Sequence, residues 1–528
     1  MRDPDESDYV VGVVGCGAMG QGIAQVSAQG GIRTILFDAR EGGAAAARER
    51  IAGHIDRMAE KGRVSAADAE AATKRLEVAD GLEALAACDA VIEAIFEEIE
   101  VKRELFGRIE GVVRPDCLIA SNTSSIPIAS IARACKHRDR IAGLHFFNPV
   151  PLMTLVEVVR AAETSDQAVA RLMALGRRMT RTPVEVKDSP GFLVNMGGRA
   201  FTTEGLRIAH EGVATPAQID AIMRDCWHFR MGPFELMDLT GIDVNYPVSR
   251  IIAGGYMDDP RLKTSANHMA MFDAGLLGRK AGKGWFDYEE GRPKDRPSAD
   301  FVTEARPVRE VVLASEFDPF ASVFEGMIED NPGVNPQLEA ELSGDDMLIP
   351  FLDELGIAIV EDDGEAPILA APIGEDATEI AAAGAGHRRL ICLDLTGDTS
   401  KRVTVMTAPG VDRDRVAPVA AAIMASGRAV TWINDGPGFV GQRMAAMVAN
   451  LGCYMAEIGL ASPEDIDMAM ELALNYPRGP IALGDEMGVE TCHAILAAIQ
   501  RITGEDRYRP TLWLRRRAML GLRLHTPN

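Results

Sequence analysis

The chain has 528 residues, of which 47% are hydrophobic and 25% are charged, and its formal net charge is -23. This length exceeds what one hydrophobic core supports, so about three or four domains are expected. The composition is that of a folded globular protein, and the strong negative charge disfavours nucleic acids and anionic membranes as partners.

The eight cysteines are widely separated and form no metal-binding or redox motif, so we expect reduced thiols and no metal. The first ten residues, MRDPDESDYV, are acidic where a signal peptide would be basic and then apolar. No uninterrupted apolar stretch is long enough to cross a bilayer. These features predict a cytoplasmic protein.

Residues 9 to 38 predict a strand, a glycine-rich turn, a helix and a second strand. Further apolar runs, DAVIEAI, CLIAS and RIAGLHFF, alternate with charged, alanine-rich helical stretches. This alternation is typical of a parallel sheet with helices on both faces, as in a Rossmann-type α/β domain. Helix signals take over from Asp188, including a capping box of Thr215 and Gln218 and a helix start at Gly232-Pro233.

The turn after the first strand fits the pattern G-x-G-x-x-G. Its residues are Gly15, Cys16, Gly17, Ala18, Met19 and Gly20. Backbone N–H groups and a helix dipole at such a turn can hold a pyrophosphate, and the flanking strand, helix and following acidic residue supply the required context. The alternative is a tight turn without a ligand. The pattern predicts a dinucleotide site.

Asp38 follows the second strand and indicates which dinucleotide is bound. A carboxylate at this position accepts hydrogen bonds from a ribose diol and repels a 2′-phosphate. NAD is therefore favoured over NADP. Arg40, two residues further on, is the feature that would instead suit a phosphate.

A cluster of small polar residues, Ser121 to Ser125 in IASNTSSIP, ends another apolar strand. Ligands of open parallel sheets bind beyond the carboxyl ends of the strands, so these hydroxyls and amides are expected to face the nicotinamide end of the cofactor. A serine-rich turn that caps its own backbone is the alternative interpretation.

The apolar stretch GLHFFNPVPLMTLVEVV carries one histidine, His145, and one carboxylate, Glu157, six residues to either side of Pro151. A chain reversal at Pro151 would place them opposite each other on two antiparallel strands. An imidazole paired with a carboxylate serves as a base and an acid at neutral pH. An isolated histidine is more often a satisfied core or surface residue, but Glu157 and the dinucleotide site favour the catalytic interpretation.

Taken together, SNTSSIPI, GLHFFNPVPLMTLVEVV, DSPGFLVN and GPFELMDLTGID closely resemble the 3-hydroxyacyl-CoA dehydrogenase family, from about residue 9 to 290. The resemblance implies NAD-dependent oxidation of an (S)-3-hydroxyacyl-CoA to a 3-oxoacyl-CoA, as in fatty acid β-oxidation or aromatic compound degradation. Acyl-chain length, and whether the acyl group ends in a carboxylate as in 3-hydroxyadipyl-CoA, stay open. The alternatives are a related dehydrogenase of a non-CoA hydroxy acid and a catalytically silent, crystallin-like binding protein.

The resemblance also implies roles for individual residues. The implied catalytic residues are His145, Glu157, Ser121 and Asn195; cofactor contacts beyond the glycine-rich turn and Asp38 are Glu97, Lys102, Ser121 and Asn148; substrate contacts are Ser121, Asn195 and Lys61. One departure from the family pattern follows Asn195, where Met-Gly-Gly replaces an arginine and larger apolar residues.

The helical region is repeated: DSPGFLVN at residue 188 returns as DGPGFVGQ at residue 435, an offset of 247 residues. We therefore predict four domains: a Rossmann domain (1–187), a helical domain (188–290), a degenerate α/β segment (291–433) and a second helical copy (434–528), with a linker at 291–300. The same offset aligns Cys392 with His145, Thr404 with Glu157 and Gln442 with Asn195, so no second active site is expected.

Shorter members of this family form dimers through the helical domain. The internal copy would present that surface within one chain and so replace a dimer partner. The protein is expected to be a monomer or a homodimer. Deleting residues 291–528 is then expected to leave a fragment that dimerises or aggregates.

Overall fold

The structure is a computed structural model, and it describes residues 1–294, 297–317 and 344–528. The chain forms two compact units. Unit 1 contains Met1–Met196 and Ile458–Leu474, and unit 2 contains Gly197–Glu457 and Asn475–Asn528.

The boundaries of the four predicted domains stay predictions. Two residues of the predicted linker, 295–296, lie outside the described residues, as do residues 318–343 of the predicted degenerate segment.

The strands are given in chain order. They are β1 (Val10–Val14), β2 (Arg33–Phe37), β3 (Leu76–Val78), β4 (Ala90–Glu93), β5 (Leu118–Ser121), β6 (Ile141–Phe146), β7 (Leu155–Arg160), β8 (Thr182–Lys187), β9 (Asp287–Glu289), β10 (Arg292–Lys294), β11 (Glu310–Leu313), β12 (Ala358–Ile359), β13 (Ile368–Ala370), β14 (Leu390–Asp394), β15 (Arg402–Met406) and β16 (Ala429–Ile433).

The helices are numbered in the same way. They are α1 (Ala18–Gln29), α2 (Gly43–Glu60), α3 (Ala66–Lys74), α4 (Ile99–Val112), α5 (Ile128–Ala132), α6 (Asp166–Arg178), α7 (Val194–Gly197), α8 (Arg199–His210), α9 (Pro216–Asp225), α10 (Pro233–Thr240), α11 (Ile242–Gly255), α12 (Ala266–Asp273), α13 (Asp345–Leu355), α14 (Ala377–Ile380), α15 (Arg413–Ala425), α16 (Gly441–Glu457), α17 (Pro463–Leu474), α18 (Pro480–Met487), α19 (Val489–Thr503) and α20 (Leu512–Leu520).

Unit 1 contains an eight-stranded sheet in the order β3-β2-β1-β4-β5-β6-β7-β8. The strands are paired in parallel except for β6 and β7, which are antiparallel. All five residues of β1 are buried, as expected for an apolar strand covered on both faces by helices. The strand order reverses between β1 and β4, which opens a crevice at the carboxyl ends of these strands. The predicted Rossmann-type fold is confirmed.

Unit 2 contains a six-stranded sheet in the order β12-β11-β13-β14-β15-β16, in which β14 and β15 are antiparallel. Its last three strands repeat the arrangement of β6, β7 and β8. The strand-like runs predicted between the helical copies therefore form a second, smaller sheet, and the predicted fold class is confirmed in this half as well.

The predicted helical region also forms. Thr215 and Gln218 make the expected capping box at α9, and Pro233 begins α10. One short hairpin was not predicted in this region, where helix signals dominate: β9 and β10 pair as antiparallel strands at the end of the first helical copy. Glu290 and Gly291 turn this hairpin with positive φ, a local turn signal that the helical pattern around it obscured.

The two helical copies of unit 2 pack against each other through α8 and α16. Glu204 on α8 is fully buried and accepts hydrogen bonds at 2.6 Å from Arg443 Nε on α16 and from Arg507 Nε. Burial alone would raise the pKa of Glu204, but the charges of Arg507 and Arg443 lower it to about 2. An ionised carboxylate therefore joins the copies.

Each sheet is covered by a helix from the other copy of the repeat. In unit 1, α17 packs on β7 and β8, and the N–H of Lys187 donates to the carbonyl of Leu460 at 2.9 Å. In unit 2, α9 packs on β15 and β16, and the N–H of Asn434 donates to the carbonyl of Val213 at 2.9 Å. The two copies have exchanged equivalent helices.

Candidate functional site

The glycine-rich turn lies where β1 ends and α1 begins. A Cβ at Gly15 would come within 2.6 Å of the Ala94 carbonyl oxygen, and one at Gly20 within 1.8 Å of the Gly15 oxygen. A Cβ at Gly17 would meet no described atom within 4 Å, so the backbone there is open to a ligand. The N-terminus of α1 begins at Ala18, directly after this open position. The turn can therefore receive a pyrophosphate.

A cavity of about 720 Å³ adjoins this turn. Its lining includes Cys16, Met19, Asp38, Arg40 and Phe96. The size and the mainly apolar lining suit an adenosine group. The residues of the predicted dinucleotide site are thus brought together.

Asp38 lines this cavity and holds the adjacent backbone. Its Oδ2 accepts the Cys16 N–H at 2.9 Å, and its Oδ1 accepts the Arg40 N–H at 2.9 Å. Burial alone would raise the pKa of Asp38, but hydrogen bonds from Arg40 and Cys16 hold it below its usual range. The exposed Arg40 guanidinium also contacts this carboxylate, at 3.2 Å. Asp38 is therefore ionised, and an ionised carboxylate can accept hydrogen bonds from a ribose diol.

The carboxylate of Glu97 accepts several hydrogen bonds from the polar cluster that follows β5. Glu97 Oε1 accepts hydrogen bonds from Thr123 Oγ1 at 2.5 Å and from the N–H groups of Ser124 and Ser125 at 3.0 and 3.1 Å. Burial alone would raise the pKa of Glu97, yet the hydrogen bond from Thr123 and the charge of Lys102 lower it. The turn does cap its own backbone in part, since Thr123 Oγ1 accepts the Ile126 N–H at 3.0 Å.

His145 and Glu157 face each other on β6 and β7. His145 Nδ1 lies 2.6 Å from Glu157 Oε2, and both residues are buried. The rings of Phe147 and Phe192 pack on the imidazole, with centroids at 4.5 and 5.8 Å. The chain reversal at Pro151 thus produces the predicted pair. With Nδ1 committed to the carboxylate, Nε2 is the nitrogen that can exchange a proton.

The second oxygen of Glu157 tethers the segment that carries Asn195. Oε1 accepts the N–H groups of Leu193 and Val194 at 3.0 and 2.8 Å. Asn195 follows directly in α7 and is half-buried. One buried carboxylate therefore fixes both the imidazole and the start of α7.

The remaining predicted residues have different surroundings. Asn148 is exposed in the loop after β6, and Lys61 is exposed at the C-terminal end of α2. Lys102 is buried, and its Nζ lies 2.6 Å from Glu93 Oε1 and 3.4 Å from Glu97 Oε2.

Glu93, at the end of β4, was not predicted. It is fully buried, and its Oε2 accepts a hydrogen bond from Ser121 Oγ at 2.6 Å. The signal was present in the sequence, because a single carboxylate inside the apolar run AVIEAI is as unusual as Glu157 in its own run.

The second sheet corrects one predicted alignment. Asp394, and not Cys392, pairs with Thr404, so Asp394 occupies the position that corresponds to His145. The β14-β15 hairpin is shifted by two residues relative to a constant sequence offset. Gln442, which aligns with Asn195, donates to Asp394 Oδ1 at 3.2 Å. This position therefore carries a buried carboxylate in place of the imidazole.

Comparisons with known proteins agree with this geometry. The family model "3-hydroxyacyl-CoA dehydrogenase, NAD binding domain" matches residues 10–189, and "3-hydroxyacyl-CoA dehydrogenase, C-terminal domain" matches residues 191–288 and again 438–523. The chain belongs to the 3-hydroxyacyl-CoA dehydrogenase family. It is an NAD-dependent dehydrogenase, and the second match corresponds to the repeat.

Members of the 3-hydroxyacyl-CoA dehydrogenase family resemble the chain over its whole length or over its first half. The 3-hydroxyadipyl-CoA dehydrogenase of Escherichia coli (strain K12) is 34% identical over 97% of this chain and 97% of its own. A crystal structure of a 3-hydroxybutyryl-CoA dehydrogenase from Escherichia coli K12 matches with a TM-score of 0.81 and 32% identity, over 97% of this chain and 98% of that chain. A probable 3-hydroxybutyryl-CoA dehydrogenase of Bacillus subtilis (strain 168) is 37% identical over 53% of this chain and 96% of its own.

All eight cysteines are buried and unbridged. In the described ranges, no helix is both long and apolar enough to traverse a bilayer. The same ranges hold no cluster of three or more histidine, cysteine or acidic side chains arranged to bind a metal ion.

The Asp38→Ala variant is expected to lose NAD affinity by roughly tenfold or more, because hydrogen bonds to a charged group contribute about 1.5–3 kcal/mol. Its affinity for NADP should rise relative to NAD, since the repulsion is removed and Arg40 is released from its carboxylate partner. Equilibrium titration with both dinucleotides measures this change. The exposed neighbour Glu41→Ala is the control and should leave the preference unchanged; an unaltered preference in Asp38→Ala would contradict the assignment.

Proposed function

We propose that the chain oxidises the 3-hydroxyl group of an (S)-3-hydroxyacyl-CoA to a ketone, with His145 as the base and Glu157 as its partner. The observation that carries this proposal is the 2.6 Å contact between His145 Nδ1 and Glu157 Oε2. It lies in the sheet that also presents the glycine-rich turn and Asp38. The family membership supports the substrate class.

In this proposal the glycine-rich turn and Asp38 would hold NAD, which would supply the acceptor for the hydride of the substrate carbinol carbon. His145 Nε2 removes the hydroxyl proton, and the imidazolium that forms is stabilised by Glu157 through Nδ1–H. Two backbone N–H groups hold the other oxygen of Glu157, so the carboxylate is fixed before the proton moves. In the reverse direction His145 gives the proton back, as microscopic reversibility requires.

The proposal assigns the substrate contacts to Ser121, Asn195 and Lys61. Ser121 and Asn195 would hold the reacting group beside the imidazole, and Lys61 would contact the phosphates of CoA. A cytoplasmic location is retained as a prediction.

The test is a comparison of initial rates with acetoacetyl-CoA, longer 3-oxoacyl-CoAs and a dicarboxylic analogue, following NADH at fixed pH. Turnover of at least one CoA thioester, with no comparable turnover of free 3-hydroxy acids, is expected. The relative rates then give the acyl preference, because the names of the relatives cover both 3-hydroxybutyryl-CoA and 3-hydroxyadipyl-CoA. Turnover of the free acids alone would contradict the proposal.

We further propose that the second helical copy replaces a partner subunit. The exchanged helices support this, since α17 of the second copy covers β7, the strand that carries Glu157. The ionic contacts between the copies join Glu204 of the first copy to Arg443 and Arg507 of the second. The equivalent residues cannot form the reciprocal ion pair, because the offset of 247 residues aligns Glu204 with Leu451 and Arg443 with Met196. Such an asymmetric pairing favours one copy binding the other over either binding itself.

A fragment of residues 1–290 is expected to self-associate or aggregate and to turn over substrate more slowly than the full chain. It lacks α17, so the face of β7 and β8 that α17 covers would be exposed. Size-exclusion chromatography with light scattering, alongside initial rates, measures both effects against the full chain. A monomeric and fully active fragment would contradict the proposed role.

A further inference from the structure

The end of β6, which carries His145, is held unequally on its two edges. On one edge, β6 pairs with β7 as far as Phe146. On the other edge, the pairing with β5 stops at Gly143, which lies opposite Ser121. Residues 144–146 extend beyond this last pair, so the end of the strand needs a further contact on that edge.

The side chain of Asn122 provides that contact. Asn122 follows β5 directly, and its backbone N–H donates to the carbonyl of Glu93 on β4 at 2.8 Å. Its side-chain Oδ1 accepts the Phe146 N–H at 2.8 Å. Phe146 is 1% exposed, so an unpaired N–H at this position would be costly. The amide of Asn122 therefore adds one hydrogen bond between the two strands, at the peptide that joins His145 to Phe146.

The second sheet lacks this contact at the equivalent position. In the first sheet, the imidazole lies two residues after the last pair of β5 and β6. In the second sheet, the pairing of β13 with β14 ends at Ala370 and Cys392, and Asp394 lies two residues further. Counted from these last pairs, Ala371 takes the place of Asn122. An alanine side chain cannot accept a hydrogen bond, so the copy without the imidazole also lacks the side-chain acceptor.

We propose that Asn122 is a positioning residue that holds the end of β6 and thereby keeps His145 Nε2 in reach of the reacting hydroxyl group. This inference rests on the proposed function, in which His145 is the base. Glu157 holds Nδ1 at 2.6 Å, so a shift of the His145 backbone would displace Nε2 relative to the substrate. Asn122 acts through the backbone and does not touch the reacting atoms.

The Asn122→Ala variant removes the acceptor. It is expected to lower kcat for reduction of a 3-oxoacyl-CoA by about 10–10²-fold, the cost of a displacement of up to about 1 Å. Substrate KM and the Kd of NAD should stay within about twofold of the wild-type values, because the proposed contacts to both ligands are unaltered. Hydrogen exchange of the Phe146 amide in the full-length protein should accelerate by about tenfold or more. An unchanged kcat or an unchanged exchange rate overturns the inference.

The Asn122→Asp variant separates positioning from direct contact with a ligand. A carboxylate oxygen can still accept the Phe146 N–H, but the residue no longer has amide protons to donate. Its kcat should recover to within about threefold of the wild-type value, because the hydrogen bond to β6 is kept. The rates are compared over the whole pH profile, since the added charge changes the protonation of nearby groups. A kcat as low as that of Asn122→Ala would mean that the amide protons are required, and it overturns the inference.

The matched control is Thr164→Ala, at the opposite end of the same pair of strands. Thr164 Oγ1 accepts the Ala161 N–H after β7 at 3.1 Å and donates to the Ile141 carbonyl at the start of β6 at 2.5 Å. This variant should lower the temperature of thermal unfolding and leave kcat unchanged. A loss of kcat equal to that of Asn122→Ala would mean that general loosening of the strands lowers the rate, and it overturns the inference.

A further variant covers the case in which Asn122→Ala fails to fold. Asn122→Leu removes the acceptor but fills the space of the amide, and thermal unfolding monitors its integrity. It should show the same loss of kcat, and a wild-type kcat in it overturns the inference. Failure of the proposed function is distinguishable, because it would appear as absent turnover of 3-hydroxyacyl-CoA by the wild-type protein, while exchange of the Phe146 amide can still be measured.

Discussion

Replacing His145 by glutamine is expected to lower kcat by about 10²–10⁴-fold, the usual contribution of general acid–base catalysis. Glutamine keeps a polar group opposite Glu157 but cannot take up the hydroxyl proton. Because the proposed NAD site is formed by the glycine-rich turn and Asp38, away from His145, dinucleotide affinity should stay close to that of the wild-type protein. Initial rates with a 3-oxoacyl-CoA, together with equilibrium titration of NAD, measure both quantities.

Two comparisons make this result specific. Glu157→Gln should also reduce kcat, because the imidazolium loses its buried counter-charge. The exposed His137→Gln variant, in the same unit, should behave as the wild-type protein. Full turnover in His145→Gln would refute the assigned base, whereas a loss of NAD affinity equal to the loss of rate would indicate a structural defect.

The largest expected effect on stability comes from Arg443. The Arg443→Met variant is expected to lower the free energy of unfolding of unit 2 by about 3–5 kcal/mol, because it leaves part of a buried ionic network without its counter-charge. Arg443 Nε contacts Glu204, and its Nη1 lies 2.7 Å from Glu211 Oε2. Urea unfolding measures the change. The control is Arg415→Met, which removes a partly exposed pair with Glu365 and should cost at most about 1 kcal/mol.

The same network predicts a pH dependence. The pKa of Glu204 is about 2 in the folded chain, below the value of about 4.3 for an unfolded glutamate. Its stabilising contribution is therefore fully present above about pH 4.3 and is lost as the pH falls toward 2. The difference in stability between wild-type and Glu204→Gln proteins should shrink over this interval. A constant difference from pH 6 to pH 2.5 would contradict the assignment.

Local patterns in the sequence were enough to predict the first sheet, the dinucleotide turn and the pairing of His145 with Glu157. Each depends on short-range rules: apolar runs, glycine spacing and a chain reversal. The buried carboxylate Glu93 was missed because its partners Ser121 and Lys102 come from other elements of the fold. A charged residue in an apolar strand indicates that hydrogen-bonding or ionic partners must offset the cost of its burial, but the local sequence does not identify those partners.

The second half shows a different limit. A constant offset of 247 residues aligned Cys392 with His145, but the hairpin register places Asp394 there. Strand register depends on loop length and on which side chains a neighbouring element buries, and an ungapped comparison contains neither. The sequence also could not predict that α9 covers the second sheet and α17 the first. Equivalent helices have the same pattern of apolar residues whichever sheet they cover.

Because α17 packs on β7 and β8, the first sheet cannot be completely covered until the ribosome has synthesised α17. At about 5–20 residues per second, roughly 15 to 60 s separate the emergence of Lys187 from that of Leu474. Throughout that interval the nascent first sheet lacks its cover, and its final closure joins segments nearly 300 residues apart in the sequence, a slow kind of step. Translation speed and chaperone supply should therefore govern the yield of this enzyme more than that of half-length relatives.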